Sequence, residues 1–341
     1  MRSPMRSPLR SPKLPTGRVP LATAWLLSGP LHVQALCDIV AVYAQELEGV
    51  CSSLLRGPED RVSALVTLPD GKLASSSFDG TVRVWDDHKC LRILRGQDHG
   101  VFGNSIAVRA MVVLPDGHLA LGFEDDKVCV WDSVSGECLR TMLGHINWVC
   151  ALAVLPDGKL ASGSIDKTVR VWNVMNGAPL LTLSGHKGSV ASLTVLPDGK
   201  LASASWDDTV RVWDAANGAC LLVLEGHFNG VTGLAVLPGK LASCSTDGTV
   251  RIWDASSGAP LTLIKTSDVF FALVTLPDNN VASASCGGKI QVWNPEDGKC
   301  LLSIDLDVFD PDQSNSVHTL AVLPDGQLAS GQTDGTVRVW C

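Results

Sequence analysis

The sequence predicts an all-β protein in which seven similar units, each a four-stranded antiparallel sheet, stack side by side into a closed ring. Three observations predict it. A tryptophan ends a Thr-Val-Arg-Val-Trp-like run at Trp85, Trp131, Trp172, Trp213, Trp253, Trp293 and Trp340, with successive spacings of 46, 41, 41, 40, 40 and 47 residues. Each tryptophan follows a Val-Leu-Pro-Asp-Gly-like turn, whose proline is Pro69, Pro115, Pro156, Pro197, Pro238, Pro277 or Pro324. A fixed period of this length marks a stacked repeat. Composition agrees: 45% hydrophobic against 18% charged residues, with 32 Gly and 18 Pro, describes a sizeable core cut by many turns into short strands.

In chain order, residues 1–30 come first and repeat Arg-Ser-Pro three times. Such a segment cannot bury a core and is expected to be disordered. Ser3, Ser7 and Ser11 each precede a proline beside a basic residue, a pattern suited to proline-directed phosphorylation. No acid occurs before Asp38. That also suits an organelle-targeting peptide, although the frequent prolines oppose the amphipathic helix such peptides form. Over residues 31–49, Leu36, Val40, Tyr43 and Leu47 recur at helical spacing, which predicts a short helix that packs on the ring or serves a partner. Residues 50–341 then form the ring. The chain stops after the third strand of the last unit, and Val50–Pro58 aligns with the outer-strand segments Glu137–His145 and Ala219–His227. Cys51–Arg56 is therefore expected to close the ring beside Thr336–Trp340, since an unpaired edge would expose a row of backbone donors and acceptors.

Within the third unit the punctuation predicts strands over 149–154, 159–164, 168–172 and 178–185, with turns at Leu155-Pro156-Asp157-Gly158 and Ile165-Asp166-Lys167. One four-stranded sheet cannot bury both faces, so neighbouring units must stack, and closing the ring removes the end faces.

The units resemble WD repeats. The residues that carry the resemblance are Gly144-His145, Gly185-His186 and Gly226-His227, the turn aspartates, and Trp-Asp at Trp85-Asp86, Trp131-Asp132, Trp213-Asp214 and Trp253-Asp254, with Trp172-Asn173 and Trp293-Asn294 as near variants. Seven such units imply a seven-bladed β-propeller. The resemblance also implies a structural hydrogen-bond relay inside a blade: His145, Ser162, Asp166 and Trp172 in the third, His186, Ser203, Asp207 and Trp213 in the fourth, His227, Ser243, Asp247 and Trp253 in the fifth. Serine, histidine and aspartate are also the residue types of a nucleophilic triad. Three copies suit a relay that satisfies buried polar groups better than one active site. Other units depart from the pattern. The first has Gly57-Pro58 and the second Gly96-Gln97 where Gly-His belongs, the sixth and seventh have neither, Leu121 replaces a serine, and Gly287 replaces an aspartate. These blades are expected to rely on apolar packing alone.

Function is expected where the units differ, because shared residues build the blade. In WD-repeat proteins the partner surface is often the face bearing the loops into the first strand and the turns between the second and third. Here that places Phe78, Ile165 and Trp206 in the turns and Arg61, Arg109, Trp148, Phe271 and His318 near the first-strand starts. Phe78, Trp148, Ile165, Trp206 and Phe271 are large and apolar at positions expected to face water, which suits a protein-binding patch. Trp148, Ile165 and Trp206, from consecutive units, are expected to lie side by side. The arginines at Arg83, Arg170, Arg211, Arg251 and Arg338 sit at one repeat position and are expected to pair with neighbouring acids.

Charge and cysteine usage narrow the alternatives. Of 27 basic residues, five lie before residue 38, leaving 22 against 35 acids in the remainder, and an acidic body of that kind disfavours a nucleic-acid partner. No apolar run reaches the roughly 18 residues that span a bilayer, so no membrane partner is expected. The 11 cysteines include no Cys-x-x-Cys pair and mostly fall at repeat positions, as reduced, buried thiols. Asp305, Asp307, Asp310 and Asp312 lack the glycine and terminal glutamate of a calcium loop. No metal or cofactor is therefore expected. The reading is a non-enzymatic scaffold for other proteins or peptides, a monomer that joins larger complexes in the cytoplasm or nucleus. The alternative is a module recognising ubiquitin or another modified protein in a degradation pathway; an enzyme using the channel is the least favoured.

Overall fold

The Leu155-Pro156-Asp157-Gly158 turn shows how each unit begins to fold. Leu155 N donates to Lys159 O at 2.8 Å, Gly158 N donates to Leu155 O at 2.9 Å, and Asp157 accepts from Lys159 N. The turn needs a left-handed residue at its last position, and Gly158 supplies φ +80°. In the sixth unit Asn279 takes that place at φ 65°, a conformation asparagine tolerates better than most. Such turns join the first two strands of six blades; in the fifth, a two-residue Pro238-Gly239 turn pairs Leu237 with Lys240.

In the computed structural model, which describes residues 51–86, 89–95, 106–306 and 316–340, seven four-stranded antiparallel sheets follow one another along the chain. The expected disordered segment 1–30 and helix 31–49 lie outside the described residues. The third blade has strands Val149–Val154, Leu160–Ser164, Val169–Trp172 and Pro179–Leu183, in that spatial order. The outer strand is shorter than the sequence suggests, and a bulge between Val171 and Trp172 brings Trp172 opposite Pro179. Burial follows the layering. Second strands such as Leu160–Ser164 are buried at every position, whereas outer strands such as Pro179–Leu183 expose most residues. No helix among the described residues is long and apolar enough to cross a membrane.

The core lies between blades. Trp172 is fully buried against Leu114 and Met142 of the preceding blade, and Trp213 packs on Leu183 in the same way. Burying a tryptophan's ~150–250 Å² removes roughly 4–6 kcal/mol of apolar surface cost before entropy is counted. Close approach leaves little room at some positions: a Cβ on Gly163 would stand 2.5 Å from Val190 of the next blade. The ring is closed as the sequence predicts. Cys51–Leu55 forms the outer strand of the last sheet, pairing Cys51 with Trp340, Leu54 with Arg338 and Leu55 with Val337. Leu55 then packs against Val62 and Trp85 of the first blade, so this strand is also a core element.

Candidate functional site

In the third blade the turn holds Asp166 beneath the Gly144-His145 loop. Asp166 Oδ2 accepts from His145 Nδ1 at 2.7 Å and from Ile146 N at 3.2 Å, while Oδ1 accepts from Thr168 N and Oγ1 at 2.9 and 2.6 Å. Because a carboxylate only accepts, His145 Nδ1 is a donor, which leaves Nε2 as acceptor in the neutral ring. Ser162 Oγ therefore donates to Nε2 at 2.7 Å and accepts from Trp172 Nε1 at 2.7 Å. The fourth blade repeats the chain through His186, Ser203, Asp207 and Trp213, and the fifth through His227, Ser243, Asp247 and Trp253. Burial opposes the charge on Asp166 and Asp207. Hydrogen bonds from the histidine and its neighbours outweigh it and hold both carboxyls well below the usual range. The atoms match a nucleophilic triad, but Ser162 is 0% exposed and its oxygen is engaged on both sides, so no substrate carbonyl reaches it.

The blades that depart from the pattern are not held by apolar packing alone. In the first, Arg83 replaces the histidine: its Nη1 lies 2.9 Å from Asp79 Oδ2, Glu59 N donates to the same oxygen at 3.0 Å, and Trp85 Nε1 donates to Ser75. In the sixth, Lys289 pairs with Asp268, an acid from a different loop than the missing one. In the seventh, Thr336 Oγ1 bonds Gln332 and Asp334, and Trp340 Nε1 donates to Ser330. The second blade buries Leu121, Phe123 and Cys129 around Trp131, and its turn Asp125 pairs with Lys127. The recurring arginines also differ from expectation. Among the described residues only Arg83 of the five pairs with an acid, whereas Arg211 and Arg251 lie 6.0 and 5.8 Å from the rings of Trp213 and Trp253.

At the end of the blades that carries the relay loops, the innermost strands open into a cavity of about 420 Å³ at the channel mouth. Arg61, Phe78, Arg109, Ile165, Trp206, Phe271 and His318 all line it. Trp148 joins them through Arg109, whose guanidinium stands 4.2 Å from the Trp148 ring, 4.9 Å from Phe78 and 2.7 Å from Glu124. Arg61 lies 4.0 Å over Phe78. Trp206 is 51% and Trp148 38% exposed; Phe78, Ile165 and Phe271 are half-buried. The two tryptophans do not meet. Trp148 turns toward the second blade to cover Arg109, whereas Trp206 lies on the fifth, where a Cβ on Gly230 would stand 2.6 Å from its ring.

His318 stacks on Phe271 with centroids 4.8 Å apart. Burial, and then the charge of Arg61, push its imidazole down to about 4. A base whose folded pKa is depressed stays neutral while the unfolded chain takes up a proton, so stability falls as pH drops from about 6.5 toward 4. In a proton NMR titration the His318 ring is expected to titrate near 4, and in Arg61→Ala its midpoint moves up. An unchanged midpoint would remove Arg61 from that environment.

Sequence reasoning missed two residues on this face. Ile146 and Phe228 are 80% and 85% exposed, each held by its own N–H on the relay aspartate. The signal was available: both follow the recurring Gly-His at a position that varies to Lys187 in the blade between them. The cysteines depart from the expected burial. Cys90, Cys138, Cys220 and Cys300 are exposed on outer strands, while burial pushes the Cys129 and Cys244 thiols up to about 12. The nine described cysteines are all free, and no group of three or more metal-ligating side chains occurs among the described residues. The acidic segment after Asp305 and the Gly96-Gln97 loop lie outside the described residues.

Comparison with known families matches the description "WD domain, G-beta repeat" over residues 49–86, 88–132, 136–173, 177–214, 218–254 and 299–341. The chain is similar to the crystal structure of the WD40 β-propeller domain of Doa1, at 27% identity and a TM-score of 0.72, over 84% of this chain and 95% of that one. Comparison with curated proteins gives no match.

Proposed function

The chain belongs to the WD-repeat family, and from that premise we propose that it is a non-catalytic scaffold that binds protein partners on the relay-loop face, at the channel mouth. The observation that carries the reading is the convergence of side chains that the blades do not share: Arg61, Phe78, Arg109, Trp206 and His318 come from four blades and line one cavity. Exposed tryptophans beside arginines are the residue types that anchor protein interfaces. The relay is the complementary part of the proposal. It holds the loops of the third, fourth and fifth blades in place and does no chemistry itself.

The test is a capture experiment with the full chain. Trp148→Ala together with Trp206→Ala is expected to lose the main partner, since truncating an anchor of this kind costs about 2 kcal/mol or more of binding. Melting should stay within about 1–2 °C, because neither ring belongs to the inter-blade core. Leu261→Ala, equally exposed on an outer strand, is the control and should bind normally. Retained capture by the double variant would place the binding surface elsewhere. Adding free ubiquitin as competitor decides whether ubiquitin is the ligand.

A further inference from the structure

Charge at the mouth is unevenly compensated. Arg109 is neutralised by Glu124, with Nε and Nη2 both 2.7 Å from Oε1. Arg61 lies close enough to Arg109 and His318 for its charge to be felt at both, yet among the described residues no carboxylate lies within ion-pair distance of its side chain. Nor does its guanidinium make a hydrogen bond there; it lies over the Phe78 ring at 4.0 Å. An arginine ordinarily finds an acceptor fork, because its planar donors match a carboxylate. Burial and the charge of Arg109 act against the cation and Asp60 and Glu124 act for it from beyond ion-pair distance, so an acceptor arriving from outside would give its donors the partner they lack.

We propose that the channel mouth is specific for an acidic peptide segment: one Asp or Glu carboxylate of a protein partner seats on Arg61, while an apolar neighbour in the same segment lies on Trp206 across the cavity. This rests on the reading of the face as a partner-binding surface and names the partner's chemistry. The charge count selects a carboxylate over a phosphoryl group. Glu124 occupies Arg109 and Asp60 is felt at Arg61 from beyond ion-pair distance, so the cavity offers an anion no more than the one unpaired guanidinium of Arg61, whereas a phosphate brings nearly two negative charges. Trp206 and Arg61 line the same cavity of about 420 Å³, room for side chains rather than for a folded element. Trp206 rests flat on Gly230, so its free face is presented without a rotamer change.

Panning a phage-displayed library of short random peptides against the immobilised full chain tests this. Enriched peptides are expected to carry an Asp or Glu at a constant distance from a large apolar residue. Replacing that Glu by Gln in the synthetic peptide should weaken binding about tenfold or more. Arg61→Met should weaken the Glu peptide equally while leaving the Gln peptide unaffected, which ties the loss to this contact. The peptide substitution needs no altered protein, so a misfolded variant does not blunt the result. Enrichment of acid-free peptides that need Trp206 would overturn the carboxylate proposal and leave the binding face standing. No enrichment, or peptides indifferent to both Arg61 and Trp206, would overturn both. Tighter binding when phosphoserine replaces the Glu would overturn the choice of carboxylate.

Discussion

Deletion of residues 1–58 is expected to lower the melting temperature by about 10 °C, whereas deletion of residues 1–30 leaves it nearly unchanged. The longer deletion removes Cys51–Leu55, whose ladder with Val337–Trp340 completes the last sheet. It strips Leu55, 1% exposed, from a cluster that also holds Val62, Trp85 and Val339. Losing a buried leucine alone costs about 2–5 kcal/mol. The remaining Val337–Trp340 edge would present unpaired backbone groups, so the truncated ring should also associate with itself. Leu55→Ala keeps the ladder and removes only the packing, and should fall between the two deletions. Equal melting of both truncations would mean that ring closure contributes nothing to stability.

Asp166→Ala is expected to destabilise the fold by about 1–3 kcal/mol, the cost of leaving buried donors without their acceptor. Alanine leaves His145 Nδ1, Thr168 N and Oγ1, and Ile146 N without their acceptor. Gly287→Asp at the matching position of the sixth blade should be mild. A Cβ there meets only Asp268 at 3.9 Å, and the local cation Lys289 is already paired. Acid gives a second readout. A carboxyl whose folded pKa is depressed contributes stability above its unfolded value near 3.9 and loses it as pH falls below. Asp166→Ala should therefore lose less stability than the unaltered chain between pH 5 and 2. If the variant melts like the unaltered chain, the relay does not hold the blade.

Much of the fold is legible because the repeat writes each requirement seven times. A proline turn, a buried small-residue strand and a terminal tryptophan are local demands, and periodicity locates them without knowledge of neighbours. The closing strand is legible for the same reason: Cys51–Leu55 has the pattern of an outer strand and no unit of its own. The loop residues Arg61, Phe78, Arg109 and His318 could be picked out because each stands at a repeat position whose neighbours along the chain recur while it does not.

Side-chain partnerships, within units and between them, were not legible. Arg83 substitutes for a histidine from a neighbouring strand position, so matching motif letters finds a gap where the folded blade has an ion pair. Among the described residues, Arg170, Arg211 and Arg251 occupy the same position as Arg83 yet pair with no acid; in their blades a histidine holds the aspartate. The directions taken by Trp148 and Trp206 depend on Arg109 two loops away and on a bare backbone at Gly230.

Sequence by itself determined that this chain is a ring of seven four-stranded blades, which residues build each blade, and which residues vary at one end. Only the tertiary structure decided that Glu124 pairs with Arg109 while, among the described residues, no carboxylate pairs with Arg61 beside it. The physical reason is range. Hydrophobic period and turn chemistry act over a few residues and repeat with the chain, whereas the balance of charge at the mouth sums over side chains contributed by several blades. That sum exists only once the ring has closed.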